Sequence, residues 1–149
     1  MAAPPTILVA VARYYPDIAD QLVAGAVGEL ERQNAPNEVV EVPGAFELPG
    51  AIRLAHDSGE FDGYVALGCV IRGETSHYDH VAGESARALA DLAARDGCAI
   101  GYGIVTADTR AQAWERAATD RRDKGRDAAQ ACLAMVALRR RFAAPATPE

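Results

Sequence analysis

Residues 73–81 read Gly-Glu-Thr-Ser-His-Tyr-Asp-His-Val, and the two histidines three apart, His77 and His80, carry the clearest chemical signature in the chain. Three chemistries fit that spacing: two imidazoles on one helical face holding a metal, one imidazole moving protons beside a bystander, or two solvated histidines at a helix start. The supply of partners weighs against metal. No H-E-x-x-H occurs, and the one remaining histidine, His56, falls in a different helix of the pattern. Ser76-x-x-Asp79 matches a capping box, which makes His77 the first helical residue. The amides from Gly73 to His77 then lie at the positive end of a helix, an address where phosphate and other anions bind. Gly73 allows a close backbone approach there. The helix dipole favours a neutral imidazole, a usable proton acceptor, while a bound phosphate pushes the other way. On location, His77 is the better proton-transfer candidate and His80 the bystander.

Other stretches are weaker alone. Gly101-Tyr102-Gly103 lacks the third glycine of a dinucleotide fingerprint and lies inside an apolar run, so close backbone packing is its expected role. No G-x-x-x-x-G-K-[ST] is present, which argues against a P-loop. Arg116, Arg121, Arg122 and Lys124 read by themselves as a solvated charged face. Tyr14 and Phe46 are core aromatics by composition, yet each follows directly on a predicted strand.

The elements that must position these residues alternate in type. Ile7 to Val11 and Tyr64 to Ile71 are apolar runs of buried-strand character, with Val39 to Val42 as a short second strand and Ala99 to Val105 as a fourth. Between them, Ile18, Leu22, Val23, Ala26 and Leu30 recur at helical spacing behind Pro16 and a candidate cap, Asp17, and end at Asn34-Ala35-Pro36-Asn37. A second helix is expected from about Phe46 to the Asp57-Ser58-Gly59 break. A third carries Val81, Ser85, Leu89 and Leu92 on one stripe and closes at Gly97. Thr109 to Ala118 and Lys124 to Phe142 complete the set. Strictly alternating strand and helix imply parallel crossovers. The expected fold class is α/β: a flavodoxin-like, three-layer α/β/α sandwich around a four-stranded parallel sheet. Ligands of such sheets sit beyond the carboxyl ends of the strands, so chemistry is expected just after Val11, Val42, Ile71 and Val105.

The chain has 149 residues, enough for one domain that buries about two thirds of its unfolded surface. A single domain over 1–149 is expected, with about 1–5 and 144–149 as loose termini that have little to bury. Fifteen basic against twenty-one acidic residues give a formal charge of −6, which argues against non-specific nucleic-acid binding and makes any anion site local. Cys69, Cys98 and Cys132 are odd in number without a C-x-x-C, so neither a disulfide framework nor a zinc ribbon is indicated and a reducing cytoplasm suits them. The opening residues lack a basic segment before an apolar run, and no apolar stretch approaches the roughly 18 residues of a spanning helix. Neither secretion nor membrane insertion is expected.

Three strings together resemble the 6,7-dimethyl-8-ribityllumazine synthase family: Val42-Pro43-Gly44-Ala45-Phe46-Glu47-Leu48-Pro49, then Leu67-Gly68-Cys69-Val70-Ile71-Arg72-Gly73-Glu74-Thr75-Ser76-His77-Tyr78-Asp79, then Gly103-Ile104-Val105-Thr106 with Glu115-Arg116-Ala117. The similarity runs from about residue 7 to 142. It implies condensation of 5-amino-6-(D-ribitylamino)uracil with 3,4-dihydroxy-2-butanone 4-phosphate, with release of phosphate and water and no metal or organic cofactor, in the penultimate step of riboflavin biosynthesis. By the resemblance His77 is the proton-transfer residue, Glu74 and Thr75 belong to the phosphate loop, and Arg116 pairs with the phosphate. Ala45, Phe46 and Glu47, with Cys69, Val70 and Ile71, match segments lining the pyrimidine and ribityl pocket. Tyr14 stands where many members have a phenylalanine that stacks on the heterocycle, and Tyr102 likewise replaces a common phenylalanine. Lys124 matches a lysine near the site. The charged stretch Asp120-Arg121-Arg122-Asp123 departs from the small-residue turn of several relatives. The resemblance further implies a homo-oligomer built of pentamers, with sites between subunits to which the adjacent chain lends Tyr102, Arg116 and Lys124. Two other readings remain beside it: a shell-forming or flavin-binding homologue without activity, and an aldol-type phosphosugar catalyst, whose imine-forming lysine has no candidate at a strand end.

Overall fold

The computed structural model describes residues 3–73 and 78–143. Among these, strands β1 (Ile7–Ala12), β2 (Asn37–Val42), β3 (Gly63–Ile71) and β4 (Ile100–Ala107) alternate with helices α1 (Pro16–Arg32), α2 (Leu48–Ser58), α3 (Tyr78–Asp96), α4 (Arg110–Ala117) and α5 (Lys124–Ala143). The strands form one parallel sheet in the order β2-β1-β3-β4. Alternate residues of β1 and β3 feed two cores. Ile7, Val9, Val11, Val65 and Leu67 pack with α1, α4 and α5, whereas Leu8, Ala10, Ala66 and Val70 pack with α2 and α3. The sheet is therefore sandwiched between two helix layers, as the alternation of elements requires.

Two helix starts differ from expectation. Asp17 does not cap α1: Tyr15 occupies the cap position without a side-chain hydrogen bond, and Pro16 opens the helix. Proline needs no amide partner in a first turn and its fixed φ suits that turn, so the helix begins two residues earlier than the apolar stripe. The Asp17 carboxylate instead accepts from Arg110 Nη2 at 3.1 and 3.2 Å, tying α1 to α4. After β2 the chain makes a 3₁₀ turn, Ala45–Glu47, before α2 starts at Leu48, so Phe46 sits on that turn and not on the helix. Thr109 does cap α4, its Oγ1 accepting from the Gln112 amide at 3.2 Å, and Gly97 closes α3 at φ +71°.

Gly101 and Gly103 play the packing role expected of them. A Cβ on Gly101 would overlap the carbonyl of Ala128, and one on Gly103 would lie 2.6 Å from Leu67 Cδ2 and 2.9 Å from Ala128 Cβ. Helix α5 lies directly on β4 at these positions, with Ala128, Ala129, Cys132 and Val136 buried beneath it. The three cysteines are buried, and burial pushes the Cys132 thiol up to about 12, so it packs as a small apolar group. A polar clamp joins α5 to α1. Buried Glu29 accepts from Arg32 at 2.7 and 3.1 Å, from Gln33 at 3.1 Å and from Gln130 of α5 at 3.4 Å. Chiefly the Arg32 hydrogen bonds, against the opposing effect of burial, hold its carboxyl down at about 2, from an ordinary 4.5. No helix of the described residues is long and apolar enough to cross a membrane.

Two outcomes follow from this packing. Gly101→Ala should lower the unfolding free energy by about 1–3 kcal/mol, because the obstacle is backbone that cannot rotate away. An unchanged denaturation midpoint would contradict the close α5–β4 approach. The Glu29 carboxyl titrates lower in the folded than in the unfolded chain, so its contribution is complete above pH 4.5 and is lost as pH falls toward 2. Glu29→Gln should flatten the stability profile in that window, as read by thermal denaturation between pH 2 and 6.

Candidate active site

All four strands finish on the same rim; the segment leaving β1 carries Tyr14, the one leaving β2 carries Ala45, Phe46 and Glu47, and the last residues of β3 are Cys69, Val70 and Ile71. After β1, the Arg13 amide donates to the Val42 carbonyl at 3.2 Å, and its guanidinium pairs with Asp20 at 2.8 Å and Glu41 at 3.5 Å. These contacts fix the chain just before Tyr14, whose ring stands edge-on to Tyr15 with centroids 4.9 Å apart. After β2, the 3₁₀ turn presents Phe46, which stacks on His80 of α3 at 6.3 Å with planes 13° apart. Composition points both aromatics inward, yet Tyr14 is 61 % and Phe46 53 % exposed. Large rings left in water at a sheet rim mark a surface that expects an occupant.

Tyr14 and Phe46 border a cavity of about 320 Å³, the size class of a small-molecule site. Ala45, Glu47, Cys69 and Val70 line it with them. Most of the wall is apolar, with Glu47 as its charged group, an environment suited to a flat heterocycle with hydrogen-bonding edges. Tyr15 and Val81 also line it. By pattern Val81 belongs to the apolar stripe of α3 and Tyr15 carries no signal of its own, so only the convergence of β1 and α3 at the rim reveals them.

Tyr102 and Arg116 border a different cavity, of about 450 Å³, where β4 meets α4 and α5. Arg116, Arg122 and Lys124 face one carboxylate there, Asp127, so the pocket carries excess positive charge on an acidic protein. Arg116 donates through Nη1 to the Thr106 carbonyl at the end of β4, which orients the guanidinium. Such a planar fork matches a phosphate edge. Tyr102 is 37 % exposed, and its partial burial pushes the phenol up. Arg122, read from sequence as part of a solvated charged stretch, belongs to this wall, and nothing in its local pattern distinguishes it.

The predicted residues thus separate into two groups that share no wall. Tyr14, Ala45, Phe46, Glu47, Cys69 and Val70 meet in the first cavity, and Tyr102, Arg116 and Lys124 in the second. Ile71 lines neither; it is fully buried in the core beneath α1. Glu74, Thr75 and His77, with the expected Ser76 cap, lie outside the described residues. Their flanks are defined: Gly73 takes φ +84°, a conformation glycine adopts without strain, and α3 begins at Tyr78 with Asp79 in its first turn. Among the described residues no group of three or more His, Cys, Asp or Glu side chains could hold a metal ion.

Comparison with known proteins converges on one family. Residues 4–140 match the sequence profile of 6,7-dimethyl-8-ribityllumazine synthase. A protein of that name from Bartonella henselae is 51 % identical over 138 residues, 91 % of this chain and 89 % of the relative. Relatives of the same name from Erythrobacter litoralis and Methylobacterium radiotolerans are 53 % and 54 % identical, covering 92 % and 90 % of this chain and 97 % and 82 % of their own lengths. With half of its residues shared across nine tenths of its length and the profile spanning the sheet and every helix, this chain belongs to the 6,7-dimethyl-8-ribityllumazine synthase family.

Proposed function

We propose that the chain condenses 5-amino-6-(D-ribitylamino)uracil with 3,4-dihydroxy-2-butanone 4-phosphate, releasing phosphate and water, as the penultimate step of riboflavin biosynthesis. Family membership over most of the chain supports the reaction. The observation that carries the site is the division of the predicted residues between an apolar, aromatic cavity and a cationic one on different parts of the rim. A planar pyrimidine suits the first and a phosphate ester the second. Neither cavity holds both sets of groups, so the site is completed between adjacent copies of the chain, with Tyr102, Arg116 and Lys124 lent by the neighbour. A heterologous contact of this kind closes into a ring, and the family resemblance supports a pentamer. The chain acts in the cytoplasm as one domain; three cysteines without a C-x-x-C accord with that.

In this site the pyrimidine amine adds to the ketone and loses water to give an imine. Removal of the proton at C3 expels phosphate from C4 and leaves an enol, which tautomerises to a new ketone at C3; the ribityl-bearing nitrogen closes the ring on that ketone, and a second water departs. Tyr14 and Phe46 hold the heterocycle by stacking, while Ala45, Glu47, Cys69 and Val70 shape the pyrimidine and ribityl pocket. Glu74 and Thr75 hold the phosphate with Arg116, and His77 relays protons between nitrogen, oxygen and solvent. Proton transfer is worth about 10² to 10⁴ in rate, whereas holding two reactive substrates together is worth roughly 7 to 11 kcal/mol of barrier. Positioning is the larger effect, and no metal or organic cofactor is called for. A binding protein without activity is less well supported, because every matched role has an intact side chain in this sequence.

The fluorescence of the lumazine product tests the reaction directly on mixing the two substrates, and its absence would refute it. His77→Ala should lower kcat by about 10² to 10⁴ yet leave measurable turnover, since positioning survives. Wild-type rates in that variant would remove the assigned role. Arg116→Ala should raise KM for the butanone phosphate much more than KM for the pyrimidine; equal changes in both would deny the phosphate contact.

A further inference from the structure

Arg72 makes a set of contacts that none of the roles above uses. Its backbone amide donates to Ala107 at 2.8 Å, extending the β3–β4 ladder by one residue. Its Nε donates to Asp108 Oδ1 at 3.0 Å, just past the end of β4. Nη1 lies 3.7 Å from Asp79 Oδ1 in the first turn of α3. The guanidinium carbon stands 4.5 Å from the centroid of the Tyr78 ring. One planar group therefore joins the end of β3, the end of β4 and the start of α3. Through Asp108 the contacts continue: the Asp108 amide donates to Gln112 Oε1 at 2.9 Å, and the Gln112 amide donates to the Thr109 cap of α4. Helix α4 carries Arg116 in its last turn.

We infer that Arg72 is a positioning residue: it fixes where α3 begins relative to β3 and β4, and so sets the geometry in which the phosphorylated substrate is held. This rests on the reaction proposed above. The Arg72 side chain is 57 % exposed, as are its acidic partners to 66 % and 85 %, and exposed pairs of this kind add little to global stability. Placement responds differently, because an ångström of displacement at reacting groups costs up to about 100-fold in rate. Neither planar stacking on Tyr78 nor the fixed, paired directions of the guanidinium fork are available to a lysine, whose ammonium is a compact charge with freely rotating donors.

Arg72→Ala and Arg72→Lys, each in the full-length protein, test this by steady-state kinetics on both substrates beside thermal denaturation. Arg72→Ala should lower kcat/KM for the butanone phosphate roughly 10- to 100-fold, with KM for the pyrimidine and the melting temperature near wild type. Arg72→Lys should restore only part of the loss. Kinetics unchanged in Arg72→Ala, equal losses on both substrates, losses that track a lowered melting temperature, or full rescue by lysine would each overturn the inference while leaving the wild-type reaction intact. A wild-type enzyme that yields no lumazine would instead refute the reaction itself, and the inference with it.

Discussion

Strand β3 is hydrogen bonded to β1 on one side and β4 on the other, and all nine of its residues are buried. Both helix layers press on it, through Val65, Leu67 and Cys69 on one face and Tyr64, Ala66 and Val70 on the other. A strand so confined cannot slide by one residue without turning each apolar side chain toward the wrong layer. Its last residues are therefore fixed in space before any ligand arrives. The aromatic cavity takes Cys69 and Val70 from this strand, and the network of Arg72 starts at its end. The close approach of α5 to β4 at Gly101 and Gly103 extends the same rigidity to the edge where Tyr102 and Arg116 stand.

The pattern of elements was legible in the sequence because buried parallel strands and amphipathic helices have different periods, and the chain changes period cleanly. Gly97 could be read as a cap from its position alone, whereas Thr109, expected as the first residue of a helix, turns out to be its cap. Asp17 could not be placed, because it and Pro16 are both helix-start signals and only the backbone decides which one acts. Strand order was not legible. Local pattern identifies β2 and β4 but does not say that they lie at opposite edges of the sheet, so the separation of Phe46 from Tyr102 becomes visible only in three dimensions. The exposure of Tyr14 and Phe46 was hidden for a related reason: aromatic residues beside strands usually belong to the core, and the rim overrides that tendency.

The motifs that carried the resemblance point to one reaction, and the fold distributes them in a physically sensible way. Apolar and aromatic groups gather where a heterocycle must shed water, and cations gather where a phosphate must be neutralised on a chain of formal charge −6. On the proposed reading no single copy brings these halves together, so association does chemical as well as structural work. A monomer would keep its core and lose its activity, which separates folding from function more sharply than in an enzyme whose site lies within one chain.

Mixed oligomers test that claim most directly. Phe46→Ala damages the aromatic half and Arg116→Ala the cationic half, and each variant assembled alone has the same lesion in every site. Co-assembled in equal amounts, random pairing around a ring should leave about a quarter of the sites with both halves intact. Lumazine formation well above the mean of the two parent variants is the predicted result. Activity that stays at that mean, in oligomers shown to contain both chains, would contradict a site shared between subunits.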